Sequence, residues 1–482
     1  MTALVGLDVG TTGVKAVAIS PDGDVVAKAE AKYPLSMPHP GWAEQDPEDW
    51  WRGTQTALAA LGVDNVRGIG LSGQMHGLVA LDSELRVLRP AILWNDQRTA
   101  AECAEIEQRL GLQRLIRLTG NRALPGFTAP KLLWLRTHEP DVYSRIGHVL
   151  LPKDFVRLRL TGELATDVAD ASGTLLFDVA ARSWSDEMLG ALDLPREWLP
   201  SALESPEISG ATASGVPVAA GAGDQAAGAL GVGVDRPGPL SVVLGTSGVV
   251  FAALPGFAAD REARIHAFCH AVPGGWHAMG VMLSAAGSLR WFRDALEPNM
   301  EYAALTAEAD LWEPGADGVT FLPYLAGERT PHADPNARGA FVGLSQRHGR
   351  GALVRAVLEG VAYGLRDSLA LLEELGVEPE AGRASGGGAR SELWLRIVAS
   401  VLRIPLERTA VEEGAAYGAA LLGGVAGGVF NDVHEAVAAC VRVRSTVEPD
   451  PAWQETYEQG YSRFRALYPA LRATRATEGG GP

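Results

Sequence analysis

The stretch LVGLDVGTTGVKAVAIS, residues 4–20, decides the fold. Two apolar runs flank the turn GTTG, and a third strand-like run, DVVAKAEAKY, follows the turn PDG. Strands joined by turns this short pair antiparallel. The same plan recurs in SVVLGTSGVVFAALPG, residues 241–256, just after the boundary-like segment VDRPGP, residues 234–239. A second half that restarts like the first predicts a duplicated domain.

The chain has 482 residues, which is too long for a single hydrophobic core. Helical and strand-like patterns alternate between the two hairpins, as in α/β layers. We therefore predict an α/β protein with two domains, residues 1–236 and 237–470, followed by a disordered tail, residues 471–482. The formal net charge of −16 argues against nucleic acid as a partner.

Neither a membrane nor an oxidising compartment is predicted. The N-terminus MTALVGLDVG lacks a basic start, and the Gly/Ala-rich stretch 208–234 is interrupted by Asp224. The three cysteines lie far apart and form no CxxC. We expect a cytoplasmic protein.

The repeated hairpin suggests a phosphate-binding device. A Gly-Thr-Thr-Gly turn directs backbone N–H groups toward one point, which suits phosphate oxygens. One copy alone would be an ordinary β-turn, but two copies could hold one ligand from both sides. Aligning the copies sets Asp8 opposite Val243, so only the first carries a carboxylate, and a single Asp is adequate for hydrated Mg²⁺. No lysine follows a glycine, so a Walker loop is absent.

A lone carboxylate stands in GAGDQAAGAL, residues 221–230, with no basic residue within ten positions of Asp224. Asp is a favoured N-cap, and QAAGAL could begin a helix. A bare Gly/Ala loop would also let a substrate come within about 3 Å of the carboxylate. These residues alone leave both the structural and the catalytic interpretation open.

Further motifs resemble one known family. The paired hairpins, the glycine turn in SGGGARSELW, GFTAPKLLWLRTHE (residues 126–139) and GAFVGL (residues 339–344) resemble the FGGY family of sugar kinases, relatives of actin, hexokinase and heat-shock ATPases. Within it, QMHG (residues 74–77) and LPYLAGERTPH (residues 322–332) are most similar to the bacterial xylulokinase branch. The similarity runs from the first strand to about residue 425. It implies two actin-like α/β domains with a ligand cleft between them.

The resemblance also implies an activity and a site. The reaction would be phosphorylation of D-xylulose by ATP to D-xylulose 5-phosphate, with Asp224 as the general base. Asp224 would stay ionised at neutral pH at a helix N-terminus, and Asp8 would govern Mg²⁺ and the phosphoryl oxygens. The implied sugar-binding residues are Met75, His76, Trp94, Asn95, Asp96, Asp224 and Gln225. The implied nucleotide-binding residues are Thr11, Thr12, Gly245, Thr246, Gly387 and Gly388.

Other readings remain open. A kinase for another pentulose or polyol, such as ribulose or glycerol, would share the nucleotide machinery, although a glycerol kinase would carry an Arg-Glu-Thr type of sequence in place of QMHG. A non-catalytic sugar-sensing regulator would carry a DNA-binding helix-turn-helix ahead of this fold. The expected partners are a small sugar and ATP, without nucleic acid or membrane, and we expect a homodimer.

A zinc site is the remaining alternative for HAFCHAVPGGWH, which offers His266, Cys269, His270 and His277. The segment RIHAFCHAV alternates like a strand, so Cys269 should face away from His266 and His270. We therefore predict a strand of the second half of the fold here rather than a metal site.

Overall fold

The computed structural model describes residues 2–476 and groups them into two compact units. The first unit contains the chain up to Arg236 together with Ala253–His277 and Glu413–Arg442. The second contains Pro237–Ala252, Ala278–Glu412 and the chain from Val443 onward. The expected division after residue 236 coincides with a unit boundary, but two later segments belong with the first unit.

The strands, in chain order, are β1 (Ala3–Val9), β2 (Gly13–Ile19), β3 (Val25–Lys32), β4 (Glu44–Gln45), β5 (Val66–Gly73), β6 (Val79–Leu81), β7 (Ala91–Ile92), β8 (His148–Leu150), β9 (Ala165–Asp167), β10 (Phe177–Asp178), β11 (Ser183–Trp184), β12 (Ser201–Leu203), β13 (Ile208–Ala211), β14 (Pro217–Ala219), β15 (Ala222–Gly223), β16 (Pro239–Leu244), β17 (Gly248–Leu254), β18 (His266–Cys269), β19 (Trp276–Met282), β20 (Thr320–Leu322), β21 (Ala340–Val342), β22 (Ala381–Ser385), β23 (Leu406–Thr409) and β24 (Val443–Val447).

The helices, in chain order, are α1 (Pro47–Leu61), α2 (Ala100–Leu110), α3 (Leu112–Thr119), α4 (Thr128–His138), α5 (Pro140–Tyr143), α6 (Pro152–Thr161), α7 (Val168–Ala171), α8 (Asp186–Leu192), α9 (Asp224–Gly231), α10 (Ala286–Leu296), α11 (Tyr302–Asp310), α12 (Arg350–Glu374), α13 (Glu392–Leu402), α14 (Gly414–Ala426), α15 (Val433–Cys440) and α16 (Gln454–Ala476). Short 3-10 helices lie at Ser172–Thr174, Arg196–Trp198, Ala316–Gly318, Gly387–Arg390 and Pro451–Trp453.

The sheet of the first unit has the strand order β13–β14–β5–β1–β2–β3, with β15 also beside β5. The hairpin β1–β2 is antiparallel, with Asp8 opposite Lys15, and β3 continues antiparallel beside β2. The predicted succession of three antiparallel strands is confirmed. On the other side of β1, β5 runs parallel to it and sets Ser72 beside Asp8.

The strands of the second unit repeat this plan, in the order β19–β17–β16–β22–β23–β24. The hairpin β16–β17 is antiparallel, with Val243 opposite Val249. Strand β22 runs parallel to β16 and sets Ser385 beside Val243, as β5 does beside β1. Asp8 and Val243 therefore occupy equivalent strand positions.

Helix α14 belongs with the first unit because its backbone packs directly on that unit's sheet. A Cβ on Gly6 of β1 would collide with the carbonyl oxygen of Ala416, and one on Gly70 of β5 with that of Ala419. Strands and helix can approach this closely only where side chains are absent. This long-range contact explains why a single cut of the chain does not separate the two units.

The C-terminal helix α16 runs to Ala476 and so includes residues 471–476 of the segment expected to be disordered. Tyr457 and Phe464 of this helix are 1% exposed, and their burial anchors the helix, which then propagates through the next turns. Residues 477–482 of the predicted tail lie outside the described residues. None of the helices between residues 2 and 476 is both long and apolar enough to cross a bilayer.

Candidate active site

Three parallel strands of the first unit end at one edge of its sheet. Asp8 on β1 lies beside Ser72 on β5, and Ser72 lies beside Ala222 on β15. The segments that leave these strands are therefore brought together: residues 10–12, 74–76 and 224–225. The carboxyl edge of parallel strands is where open α/β sheets bind their ligands. The structure thus unites Asp8, Met75, His76 and Asp224, which lie far apart in sequence.

Asp224 is the first residue of α9, and the N-cap position is taken by Gly223, without a side-chain cap. Burial, with the negative charge of Asp8 as the second cause, raises the pKa of the Asp224 carboxyl to about 7, although the N–H of Gln225 opposes the shift. With a pKa of about 7, only part of the Asp224 carboxyl groups are ionised at neutral pH, fewer than the helix N-terminus alone would give, because desolvation opposes the helix dipole. A carboxylate whose pKa lies near neutrality can serve as a general base.

Asp8 is half-buried on β1, and its Oδ1 accepts a hydrogen bond of 3.2 Å from the Ser72 hydroxyl. Burial raises the pKa of the Asp8 carboxyl, while the Ser72 hydroxyl and the charge of Lys15 act in the opposite direction. Two carboxyl groups with raised pKa values at one strand edge are an arrangement typical of functional sites.

Met75 and His76 fill space that two glycines leave open. A Cβ on Gly223 would lie 2.7 Å from Met75 Cγ, and one on Gly173 would lie 2.5 Å from His76 Nδ1. His76 has a positive φ of 69°, and its Nδ1 lies 2.6 Å from the Gly173 carbonyl oxygen. Because a carbonyl only accepts, Nδ1 carries the proton in this contact. The ring orientation of His76 is thereby fixed.

Lys131 is a buried residue that sequence reasoning missed. Its Nζ donates to the carbonyl oxygens of His76 and Gly126, over 2.8 and 2.7 Å. Burial lowers the pKa of the Lys131 ammonium to about 7. The available signal was a lone lysine inside the apolar run TAPKLLWL of α4. Lys131 secures the unusual backbone of the His76 segment.

Trp94, Asn95 and Asp96 differ in whether their side chains are available to a ligand. Trp94 is 37% exposed, and the Oδ1 of Asn95 is buried without a hydrogen-bond partner. Asp96 is fully buried, and its carboxylate accepts from the Ala43 N–H over 2.7 Å and from the Arg98 guanidinium over 2.7 and 2.9 Å. Trp94 and Asn95 can therefore meet a ligand, whereas Asp96 holds its own loop in place.

The second hairpin borders a cavity of about 720 Å³ within the second unit. A cavity of this size can take a nucleotide-sized ligand. All four residues predicted to bind nucleotide in this unit line it: Gly245, Thr246, Gly387 and Gly388. Helices α10 and α11, which sequence reasoning did not assign to a site, supply further walls through Ala286, Gly287, Leu289, Arg290, Tyr302, Ala303, Thr306, Ala307 and Asp310.

The turn of the second hairpin is bound to the start of α10. The N–H groups of Ala285 and Gly287 donate to the Thr246 carbonyl over 2.9 and 3.1 Å, and that of Ala286 donates to the Gly245 carbonyl over 2.8 Å. A Cβ on Gly287 would lie 2.8 Å from the Thr246 carbonyl oxygen. The backbone of the turn is thus fixed from one side.

The residues considered for zinc have protein partners instead. His266 Nδ1 lies 2.8 Å from the Asn121 side-chain oxygen, and His270 Nε2 lies 3.0 Å from the Val234 carbonyl oxygen. Within the described part of the chain, the group with metal-like spacing is Asp154, Asp167 and Asp170. The ammonium of Lys153 lies 2.6–3.1 Å from all three carboxylates, so a protein cation already occupies that position.

Comparison with known proteins agrees with this geometry. Residues 3–231 match the N-terminal domain of the FGGY family of carbohydrate kinases, and residues 240–427 match its C-terminal domain. The chain is 46% identical to the xylulose kinase of Escherichia coli K12 over 97% of this chain and 99% of that protein. It is thus most similar to the branch predicted from its motifs.

Two solved structures share the fold. A protein of Brucella ovis described as a xyloylose kinase has a TM-score of 0.92 at 43% identity, over 98% of this chain and 100% of that one. A gluconate kinase of Lactobacillus acidophilus has a TM-score of 0.94 at 26% identity, over 99% of this chain and 100% of that one. The predicted two-domain, actin-like α/β class is confirmed. The chain belongs to the FGGY family of carbohydrate kinases, which are ATP-dependent enzymes.

Proposed function

We propose that this carbohydrate kinase phosphorylates D-xylulose to D-xylulose 5-phosphate, with Asp224 as the general base. The observation that carries the mechanism is the meeting of Asp224, Asp8 and the Met75–His76 segment at one edge of one sheet. The similarity to a xylulose kinase over nearly the whole chain supports the choice of sugar.

Asp224 accepts the proton of the sugar hydroxyl as that oxygen attacks the γ-phosphorus of ATP, the bond from the γ-phosphorus to the β,γ-bridging oxygen breaks, and ADP leaves. The Gly and Ala neighbours of Asp224 let the sugar approach the carboxylate. The pKa of about 7 makes Asp224 a stronger base than an ordinary aspartate, yet leaves it ionised often enough to act. Phosphoryl transfer otherwise depends on positioning and on stabilising the charge of the phosphoryl oxygens.

Asp8 fits a hydrated Mg²⁺. Magnesium in proteins binds through one or two carboxylates, water and phosphate oxygens, and Asp8 offers a half-buried carboxylate at a strand end. When bound with ATP, the ion supplies positive charge to the phosphoryl oxygens. The equivalent Val243 has no ligand to offer, so the metal function belongs to the first hairpin alone.

The remaining candidate residues bind either the sugar or the nucleotide. Met75, His76 and Gln225 contact the ketose, and Trp94 and Asn95 border the same pocket, where the unpaired Oδ1 of Asn95 accepts from a sugar hydroxyl. Gly245 and Thr246 face phosphates, and Gly387 and Gly388 lie beside the adenosine, in the cavity that all four line.

A coupled assay of ADP release tests the substrate. The panel is D-xylulose, L-xylulose, D-ribulose, L-ribulose, glycerol and gluconate, the last because a gluconate kinase shares the fold. We expect D-xylulose to give the highest kcat/KM. A higher kcat/KM for any other compound of the panel would refute the D-xylulose assignment and leave only the assignment to the family.

A further inference from the structure

Two buried glutamines lie beneath the turn of the first hairpin. Gln45, from the motif AEQD, is 2% exposed, and Gln74, from the motif QMHG, is 1% exposed. Gln74 Nε2 donates to Gln45 Oε1 over 3.0 Å, and the Gln74 backbone N–H donates to the Val9 carbonyl over 2.9 Å. Two glutamines to which no role has been assigned above therefore meet through their side chains.

The direction of each hydrogen bond follows from Trp50. An indole N–H can only donate, and that of Trp50 lies 3.0 Å from Gln45 Oε1, which must therefore be oxygen. The Gln74 atom facing the same oxygen must be the amide nitrogen. The oxygen of Gln74 then faces Thr11 Oγ1, at 3.2 Å, so the Thr11 hydroxyl is the donor.

The same two amides hold the carbonyl groups of the turn. Gln45 Nε2 donates to the Thr11 carbonyl over 2.6 Å, and Gln74 Nε2 lies 3.4 Å from the Gly10 carbonyl. The Tyr33 hydroxyl also donates to Gly10. A carbonyl oxygen would repel a phosphate, so tying both carbonyls to protein donors favours an anion at this turn.

The Thr11 hydroxyl is occupied on both sides. It donates its single proton to Gln74, and it accepts from the Trp94 indole N–H over 3.0 Å. In this arrangement it has no proton left for a phosphate oxygen. This differs from the role expected for Thr11, which would have faced phosphate.

We propose that Gln45 and Gln74 are positioning residues for the phosphate-binding turn 10–12, and that the Thr11 hydroxyl ties this turn to Trp94 rather than donating to ATP. The proposal rests on the proposed function, because ATP is taken as the ligand of the turn. It deepens that function by linking a residue of the sugar pocket to the phosphate hairpin through named atoms.

The first test is amide hydrogen exchange on the ligand-free protein, which needs no activity. Gln74→Met keeps the length of the side chain and removes the amide. We expect exchange at residues 10–13 to rise about 5- to 30-fold, as for the loss of one or two hydrogen bonds. The KM for ATP should rise by a similar factor, and by more than kcat falls. Unchanged exchange at the turn would overturn the proposal.

A double-mutant cycle between Thr11→Val and Gln74→Met is the second test. Because both residues lie in one hydrogen-bond chain, their effects on the KM for ATP should be far from additive. Additive losses would mean that the Thr11 hydroxyl acts on phosphate by itself, and the proposal would fail. Thr11→Val alone also reports on the turn, since it leaves the glutamines in place: raised exchange at residues 10–13 supports the proposal, and wild-type exchange contradicts it.

Asn121→Leu is the matched control. Asn121 is 1% exposed, and its amide bonds to the Thr119 and Ala267 carbonyls, away from the hairpin. It should lower the melting temperature as Gln74→Met does, while leaving exchange at residues 10–13 and the KM for ATP unchanged. If instead the proposed function is wrong, the wild-type enzyme fails the sugar panel while the exchange results stand.

Discussion

Asp224 owes its chemistry to neighbours both near and far in sequence. The Gly and Ala residues beside it make the carboxylate approachable. Its pKa of about 7, in contrast, comes from burial and from Asp8 on another strand. Asp224 lies at the first helical position, where a negative charge is favourable but contributes only about 0.3–1 kcal/mol.

The first prediction concerns Asp224→Asn. This change keeps the size of the side chain and removes the proton acceptor. We expect kcat to fall by at least about 10²-fold, because base catalysis is typically worth about 10²–10⁴-fold. The melting temperature and the affinity for ATP should stay close to those of the wild type, and both should be measured on the sample used for the rate.

Asp186→Asn provides the control for this prediction. Asp186 is also the first residue of a helix, α8, and it is exposed. Its replacement should leave kcat unchanged. A stable Asp224→Asn protein with near-normal turnover would return Asp224 to a structural role.

At the scale of elements, the packing of α14 explains Gly6 in β1 and Gly68 and Gly70 in β5. The helix lies against both strands, and a Cβ on Gly418 would collide with the Ala227 carbonyl oxygen of α9. Helix α14 therefore braces the strand that carries Asp8 and the helix that begins at Asp224. The spacing GIGLSG of residues 68–73 resembles a dinucleotide fingerprint, but it lies inside β5, where Gly68 and Gly70 allow the close approach of α14.

The second prediction is that Gly70→Ala lowers the free energy of unfolding of the protein. The added methyl group would meet the backbone of α14, which cannot move as the end of a side chain could. Overpacking of this kind costs about 1–3 kcal/mol or more. Denaturant unfolding should show the loss.

Gly190→Ala is the matched control, since Gly190 lies in α8 and an added Cβ meets nothing within 4 Å. Alanine is the better helix former, so this variant should gain about 0.5–1 kcal/mol. The two substitutions are chemically the same and should have opposite signs. Equal unfolding free energies for Gly70→Ala and the wild type would contradict the packing described for α14.

At the scale of the whole molecule, the two units share one strand order but differ in their candidate functional features. The first carries Asp8, Asp224 and the Met75–His76 segment, and the second carries the cavity beside Gly245 and Gly387. The equivalent of Asp8 in the second hairpin is Val243. The two hairpins thus share one strand plan, and only the first carries the carboxylate.

The Mg²⁺ site proposed at Asp8 predicts the result of removing the metal. With EDTA, turnover should stop, because the phosphoryl oxygens lose their counter-charge. The sugar should still raise the melting temperature, since any ligand that binds only the folded state stabilises it, by about 2.7 kcal/mol at 100 times its Kd. Thermal shifts with D-xylulose in the presence and absence of Mg²⁺ provide the measurement. A sugar-induced shift that needs the metal would contradict the assignment of Mg²⁺ to ATP alone.

Local patterns determined much of this protein. Alternating apolar residues and tight Gly-Thr turns specify both hairpins, because turn geometry and strand periodicity depend on a few neighbouring residues. The lone carboxylate in a bare Gly/Ala loop made Asp224 a candidate from local sequence, whereas the roles expected of Met75, His76, Gly387 and Gly388 came from the resemblance to the FGGY family.

Only the tertiary structure decided what depends on burial and on contacts distant in sequence. Residues 413–442 join the first unit because α14 packs on β1 and β5. The Asp96 carboxylate pairs with Arg98, and the Thr11 hydroxyl bonds to Gln74 and Trp94. Hydrogen-bond partners and desolvation are set by the three-dimensional surroundings of a side chain, and no short stretch of sequence contains them.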